Sequence, residues 1–458
     1  MNKKKLITLS LSILGLLLSS CASKGNSSTS FVSSLTETGN SLDIYYSSDV
    51  RFQALLERGS NLYDYTDEKG NAYLKDGTKV TFNVSDSSEY LSNLKKSINA
   101  RSSAIDVYIL KENELSSFLR EGVALDLVND LGFNNSDFDT QYQGVLDKGR
   151  DSNRKIRASC YSLSNGVLVY RTDYAEKVFG TYLTSEIKEY FTVDKLVSTA
   201  QLIKEKTSTS TSHVRIFPST QDLIFPYYQA ISKPLVDTAK TFNFDQSLKD
   251  YIDLVRNLKD IQSIYSYIKS DSEYLMQEKK SGLTFSFLVN ANELYDFELN
   301  TLDSTSKRNK EGNGLYGKLK AIPFGLPFKN ENYYMLVSPY ANNLASAKKL
   351  IKGFTTDVYS MSILAQDGKT LVNSYDAIKL ASQNQGTFDP FFNEDVLSIL
   401  GEEALKINNT NYTSYDDKIL TYLLSDFNYY FLGTRSYESC LSNFYKDLRN
   451  NLQLLTNE

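Results

Sequence analysis

The chain has 458 residues, 41% of them hydrophobic, and 50 lysines and arginines against 55 aspartates and glutamates give a net charge of −5. This composition is ordinary for folded protein, and the length predicts two or three domains with sizeable cores. The acidic balance argues against a nucleic-acid partner, and a single histidine, His213, leaves little basis for histidine-dependent catalysis or a zinc site. We expect neither a metal nor a cofactor.

The first twenty residues are typical of an export signal. Lysines at 3–5 precede an apolar run at 6–18, which at 1.5 Å per residue reaches about 20 Å, too short for a permanent membrane span. Two serines before Cys21 resemble a bacterial lipobox, in which the cysteine carries lipid; the alternative is an ordinary signal peptide with a chance cysteine. We predict a lipoprotein signal peptide at 1–20, lipid attachment at Cys21 and a flexible tether at 21–41.

Apolar runs and amphipathic segments alternate through the first part of the chain. Strand-like runs are followed each time by a polar turn and by apolar residues at helical spacing. The predicted strands are 42–46, 80–84 and 105–110, and the predicted helices are 52–56, 90–98 and 114–120. Strands alternating with helices indicate a parallel α/β sheet.

A second α/β region is predicted to begin near residue 164. The run at 167–170 is too short for a helix and is read as a strand that enters a new lobe. Further amphipathic helices are predicted at 193–203, 248–258, 261–268, 343–354 and 441–455, with a buried strand at 283–289.

Four blocks of sequence carry a resemblance to a known family. They read SEYLSNL, AIDVYIL and LREGVALDL between 88 and 127; NGVLVYRTD and FTVDKL between 165 and 196; IPFG, LVS and AKKLIKGFT between 322 and 355; and YYFLG opening a helix at 429–448. In this order and spacing they resemble the family 1 extracellular solute-binding proteins, the sugar-type receptors of bacterial ABC importers that include maltose-binding protein.

The resemblance implies an α/β, two-lobed, periplasmic-binding-protein-like (type II) fold with hinged, discontinuous lobes and a central ligand cleft. Lobe 1 would comprise 42–163 plus 335–370, and lobe 2 would comprise 164–330 plus 376–458, with crossings near 162–166, 327–334 and 370–375. It also implies a monomer that is not an enzyme, held to the membrane by lipid on the extracellular or periplasmic side. Such a receptor passes a small solute, here a carbohydrate, to ABC permease subunits.

The resemblance directs several loops toward the cleft. Sugar sites combine polar groups that bind hydroxyls with aromatic rings, and because the chain lacks tryptophan, stacking falls to its 33 tyrosines and 24 phenylalanines. A helix cap or turn explains each polar candidate equally well, and a core position explains each tyrosine. The candidate ligand-binding residues are Ser48, Asp49, Asp86, Ser87, Glu112, Asn113, Ser164, Asn165, Tyr227, Asn290, Asn332 and Tyr333.

Three other functions remain open at this stage. Adjacent tyrosines such as Tyr227–Tyr228 and Tyr333–Tyr334 could serve a ferric-ion receptor, and two carboxylates could serve a glycoside hydrolase, although no block of sequence singles out a pair. A surface lipoprotein could also use the same fold for adhesion. The two cysteines Cys160 and Cys440 could pair or remain free thiols.

Overall fold

The computed structural model describes residues 35–120, 122–264, 282–304, 310, 312–383, 388–407 and 410–456. The compact unit that holds nearly all of them spans Thr36–Glu458. The predicted signal peptide, Cys21 and most of the predicted tether lie outside the described residues, as does the end of the helix predicted at 261–268. In the described part of the chain, no helix is long and apolar enough to cross a membrane.

The larger sheet has seven strands in the order β2-β3-β4-β1-β5-β10-β6. The strands are β1 (Leu42–Ser47), β2 (Tyr63–Thr66), β3 (Ala72–Leu74), β4 (Lys79–Ser85), β5 (Val107–Lys111), β6 (Ala158–Ser162) and β10 (Tyr333–Val337). Strand β1 pairs in parallel with both β4 and β5, whereas β10 runs antiparallel between β5 and β6. One end of this sheet therefore collects the last residues of β1, β4, β5 and β6 and the first residues of β10. There Tyr333 pairs with Lys111 and Ser162.

The smaller sheet has three strands in the order β8-β7-β9. Its central strand β7 (Gly166–Arg171) is antiparallel to both β8 (Ser286–Asn290) and β9 (Leu319–Ile322). Because alternate side chains of a strand point to opposite faces, the continuous apolar run of β7 indicates a sheet covered on both sides.

The helices surround these sheets. They are α1 (Phe52–Gly59), α2 (Tyr90–Asn99), α3 (Gln143–Lys148), α4 (Thr172–Phe179), α5 (Thr184–Ile187), α6 (Leu196–Thr207), α7 (Ile224–Gln229), α8 (Gln246–Asp260), α9 (Leu294–Thr301), α10 (Leu344–Thr355), α11 (Val358–Gly368), α12 (Tyr375–Gln383), α13 (Val396–Ala404), α14 (Asp416–Phe431) and α15 (Tyr437–Leu452). A 3-10 helix at Glu112–Ser117 follows β5 directly.

Two buried hydrophobic clusters form the core. The first includes the larger sheet and continues through α10 to α13 to one face of the smaller sheet, where it contains Val167 and Val169. The second contains Leu168 and Tyr170 from the opposite face of β7, together with α4, α6, α8, α14 and α15. Cys160 is buried in the first cluster and Cys440 in the second, and both are free thiols.

Three segments of chain run side by side between the two sheets. The Leu163 N–H donates to the Leu371 carbonyl at 2.7 Å, and the Gly166 N–H donates to the Phe328 carbonyl at 2.9 Å. These are the three places at which the resemblance implies that the chain crosses. The lobe boundaries themselves remain a prediction, because the first hydrophobic cluster extends across both sheets.

Candidate functional site

A cavity of about 220 Å³ lies beside the crossing segments, at the end of β5. Its walls come from the 3-10 helix after β5, the end of α3, helix α7, the crossing segment at 329–331 and the beginning of α14. The lining residues are Glu112, Asn113, Leu115, Ser116, Leu119, Lys148, Tyr228, Lys329, Glu331, Tyr412, Thr413, Ser414, Asp416 and Asp417. The cavity therefore brings together side chains that are distant in sequence and that come from the parts of the chain around the larger sheet and around the smaller sheet.

A buried polar network fixes Glu112 at this cavity. One of its carboxylate oxygens, Oε2, accepts hydrogen bonds from Lys329 Nζ at 2.5 Å and from Asn332 Nδ2 at 2.8 Å. The amide oxygen of Asn332 accepts from the backbone and hydroxyl of Ser164, at 3.0 and 3.1 Å. Since the Lys329 and Glu112 side chains are only 4% and 11% exposed, this ion pair is largely removed from solvent screening.

Two tyrosines form the aromatic part of the wall. The rings of Tyr228 and Tyr412 lie edge to face with centroids 5.2 Å apart, and the Tyr412 hydroxyl donates to the side chain of Gln229. The ammonium groups of Lys148 and Lys329 each lie 4.9 Å from the centroid of the Tyr412 ring, within the range of cation–π attraction. Burial lowers the pKa of Lys148.

Asn113, just after β5 of the larger sheet, is hydrogen-bonded to a crossing segment and to helix α14. Its backbone N–H donates to Glu331 Oε2 at 3.0 Å, and its side-chain amide donates to Asp417 Oδ2 at 2.8 Å. Burial, followed by the like charges of Glu112 and Asp417, raises the pKa of Glu331 to about 7. Two carboxylates thus approach the same asparagine from different parts of the chain.

The beginning of α14 is held by Asp416. Its carboxylate accepts from the Thr413 backbone at 2.8 Å, from the Thr413 hydroxyl at 2.5 Å and from the Tyr228 hydroxyl at 2.5 Å. Burial raises the pKa of Asp416. These bonds occupy Asp416 within the protein and position the neighbouring Asp417 at the cavity.

The structure places four of the sequence candidates at or next to the cavity. Glu112 and Asn113 line it, and Ser164 and Asn332 support Glu112 from behind. Asn165 and Asn290 lie buried where β7 begins and β8 ends. The amide nitrogen of Asn165 and the amide oxygen of Asn290 have no hydrogen-bond partner among the described residues.

The remaining candidates lie elsewhere, and none of them lines the cavity. Ser48, Asp49, Asp86 and Ser87 are exposed at the ends of β1 and β4, where Asp49 pairs with Lys111 at 2.5 Å and Asp86 accepts from the backbone and hydroxyl of Ser88. The half-buried Tyr333 lies with its ring 6.2 Å from that of Tyr161.

The prediction that Tyr227 serves as a ring platform needs correction. Its side chain is 2% exposed and packs in the second hydrophobic cluster, with its ring 6.2 Å from that of Tyr251. The next residue, Tyr228, faces the cavity instead. Successive residues of a helix point in directions about 100° apart, so although both rings pack in the second cluster, only that of Tyr228 also reaches the cavity.

Sequence reasoning missed most of the wall around α14. Tyr412, Thr413, Ser414, Asp416 and Asp417 were not among the candidates, although a Thr-Ser pair followed by two aspartates is a recognisable signal for the start of a helix. No local sequence pattern singled out Lys148 as a site residue. Within the described ranges, no group of three or more histidine, cysteine, aspartate or glutamate side chains is placed to hold a metal ion.

The two sheets, the paired crossing segments and the polar cavity beside them define a receptor-like α/β protein. The chain belongs to the bacterial extracellular solute-binding protein family, whose model matches residues 54–360. This match confirms the predicted family and the prediction of a binding protein, not an enzyme. Comparison with curated protein sequences finds no match.

Solved structures confirm the predicted fold. An extracellular solute-binding protein of family 1 superposes with a TM-score of 0.65 at 15% identity, covering 89% of this chain and 99% of that one. The GacH receptor of Streptomyces glaucescens, described unliganded and with acarbose, gives 0.63 at 14% identity, covering 90% and 99%. A binding protein associated with an ABC transporter of B. animalis subsp. lactis, in complex with beta-1,6-galactobiose, gives 0.65 at 13% identity, covering 92% and 100%.

Proposed function

We propose that this protein is the substrate-binding component of an ABC importer and that it captures an oligosaccharide in the cavity beside the crossing segments. The captured solute is then delivered to permease subunits in the membrane. The observation that carries the proposal is a cavity of about 220 Å³ whose polar lining comes from both regions of the fold. A solute held there would contact both regions at once.

The lining chemistry suits a polyhydroxylated solute. Sugar hydroxyls donate and accept hydrogen bonds, and the wall offers carboxylate acceptors from Glu331 and Asp417 together with the hydroxyl of Ser414. The ring of Tyr412 supplies a flat apolar surface for the C–H face of a sugar. The names of two structural neighbours, which bind acarbose and beta-1,6-galactobiose, point to the same class of solute.

The finer parts of the proposal concern lobes and location. We propose the discontinuous lobes 42–163 plus 335–370 and 164–330 plus 376–458, moving about the paired crossing segments. Anchoring through a lipid on Cys21 would hold the receptor at the outer face of the membrane beside its permease. Mass spectrometry of the protein recovered from membranes tests the anchor, since a lipidated N-terminal cysteine adds the mass of a diacylglyceryl group.

Thermal unfolding with a panel of neutral sugars tests the binding function. The purified protein is melted with glucose, maltose, maltotetraose, cellobiose and beta-1,6-galactobiose, and hits are measured by calorimetry. A ligand that binds only the folded state at about 100 times its Kd adds about 2.7 kcal/mol of stability, which raises Tm by several degrees.

Two tyrosine variants sharpen the test. Tyr412→Ala removes the ring in the cavity and is expected to weaken binding about tenfold or more. Tyr227→Phe is the matched control, because this buried tyrosine lies outside the cavity and should leave affinity unchanged. A flat melting response to every sugar, including amino sugars, would contradict the proposal and favour the adhesion alternative.

A further inference from the structure

The charges around the cavity are unevenly paired. Four carboxylates and two ammonium groups line it, so with all of them ionised the wall carries a net charge of −2. Glu112 and Lys329 neutralise one another at 2.5 Å. The ammonium group of Lys148 lies against the Tyr412 ring, at the side of the wall that also holds Lys329.

Three of the four carboxylates have no cation partner among the described residues, and because Asp416 is held by its hydrogen bonds from Thr413 and Tyr228, Glu331 and Asp417 are the two that remain. Neither forms an ion pair with a lysine or arginine in the described part of the chain, and each side chain accepts one hydrogen bond, in both cases from Asn113. A carboxylate offers about four acceptor positions, so most of the acceptor capacity of both groups is unused. Both groups line the cavity.

We propose that the solute recognised in this cavity carries a protonated amine, as in an amino sugar or an oligosaccharide that contains one, and that Glu331 and Asp417 bind its ammonium group. This inference rests on the proposed function and specifies the class of its substrate. An ammonium group has three donors and no acceptor, which matches two acceptor-only carboxylates that flank one asparagine. A neutral hydroxyl matches the geometry but leaves the repulsion between the two carboxylates in place.

The ionisation of Glu331 supports this assignment. Burial first, and then the negative charges of Glu112 and Asp417, raise its pKa to about 7, and Lys329, which is paired with Glu112, offsets this only in part. A bound ammonium group would lower that pKa and release a proton from Glu331 near neutral pH. The affinity of the ammonium form of the ligand, corrected for the amine's own titration, is therefore expected to fall as pH drops from about 8 to about 6, because Glu331 then becomes protonated.

Calorimetry with matched sugars tests the inference. The probes are glucosamine, galactosamine and the β-1,4-linked disaccharide and tetrasaccharide of glucosamine; each is compared with its N-acetylated form and with the corresponding hydroxyl sugar. Charge-assisted hydrogen bonds predict that free amines bind about tenfold or more tightly than either neutral form. Repeating the titration in buffers of different ionisation enthalpy measures the proton released.

Three variants assign the preference to the two carboxylates. Glu331→Gln and Asp417→Asn keep the side-chain shape and are each expected to bring the amine preference to within about twofold of the neutral sugars. Asp426→Asn is the control, because this carboxylate also has a raised pKa but lies outside the cavity. Circular dichroism melts establish that each variant is folded, and two independent variants guard against one that is not.

The outcomes separate the inference from the function on which it rests. If neutral sugars bind as tightly as amines, or if both cavity variants keep the preference, the inference is overturned and the oligosaccharide receptor stands. If no sugar of either kind binds, the proposed function fails and the inference fails with it. Amine preference that both cavity variants lose, with proton release that Glu331→Gln abolishes, supports the inference.

Discussion

Replacing Lys329 with methionine tests whether the buried ion pair at the cavity behaves as the geometry requires. Methionine is an unbranched side chain only one atom shorter and removes the charge, leaving Glu112 with the hydrogen bond from Asn332 alone. The reciprocal variant, Glu112→Gln, leaves the Lys329 ammonium without its carboxylate. In the double variant neither charge remains.

The exposure of the two side chains determines how much stability the single variants should lose. At 4% and 11% exposure, a charge that has lost its partner is poorly hydrated, and breaking such a buried pair costs about 3–5 kcal/mol. Removing both charges costs much less, because no ion is left in a low-dielectric site. We expect the double variant to be no less stable than either single variant, which corresponds to a coupling energy of at least about 3 kcal/mol.

Urea unfolding followed by far-ultraviolet circular dichroism measures these free energies, since the chain has no tryptophan to report by fluorescence. The exposed pair Lys349–Asp76, whose side chains are 46% and 34% exposed, is the matched control and should give less than about 1 kcal/mol of coupling. Single-variant costs below about 1 kcal/mol that simply add would show that solvent screens the Lys329–Glu112 pair, and the burial argument would be wrong.

Three further predictions concern stability. Asp106→Asn should lower the free energy of unfolding, measured in urea, by about 3–5 kcal/mol. The fully buried Asp106 carboxylate accepts hydrogen bonds from four N–H groups, two on each oxygen. In asparagine an NH2 group replaces one of these oxygens, and it would face two N–H donors. Asp426→Asn should stabilise the protein by about 1 kcal/mol near pH 7 and not at all near pH 4, because burial, followed by the like charge of Asp447, raises the pKa of Asp426 to about 6. Ionisation of Asp426 then opposes folding as pH rises, and partial exposure of the side chain reduces the effect. Gly166→Ala should lower thermal stability by about 2–3 kcal/mol, because a Cβ there would lie 1.9 Å from the Phe328 ring; an unchanged melting curve would show that the ring yields freely.

The strands of the larger sheet were the most predictable part of the fold. The run at 42–46 became β1 at Leu42–Ser47 and the alternating residues at 80–84 lie within β4, because strand periodicity and the polar turns after each strand are local signals. The same signals located Glu112 and Asn113, which follow β5 directly at the edge where parallel strands end.

The wall formed around α14 could not be predicted in the same way. Asn113 and Asp417 are 304 positions apart, and their contact depends on how α14 packs in the second cluster, not on a pattern near either residue. Tyr227 and Tyr228 show the same limit at short range. In a six-residue helix buried on most sides, no periodicity shows which of two adjacent rings faces the core and which faces a cavity.

The network behind Glu112 explains why the cavity lies where it does. Glu112, Asn332 and Ser164 are hydrogen-bonded in series across two crossing segments, so Glu112 is fixed to both of them. Another part of the cavity wall belongs to α14. The side chain of Asn113, next to Glu112, donates a hydrogen bond directly to Asp417 of this helix. A solute that fills the cavity must therefore contact groups whose separation depends on the arrangement of the two sheets. Tight binding therefore requires that both parts of the chain present these groups at the right separation.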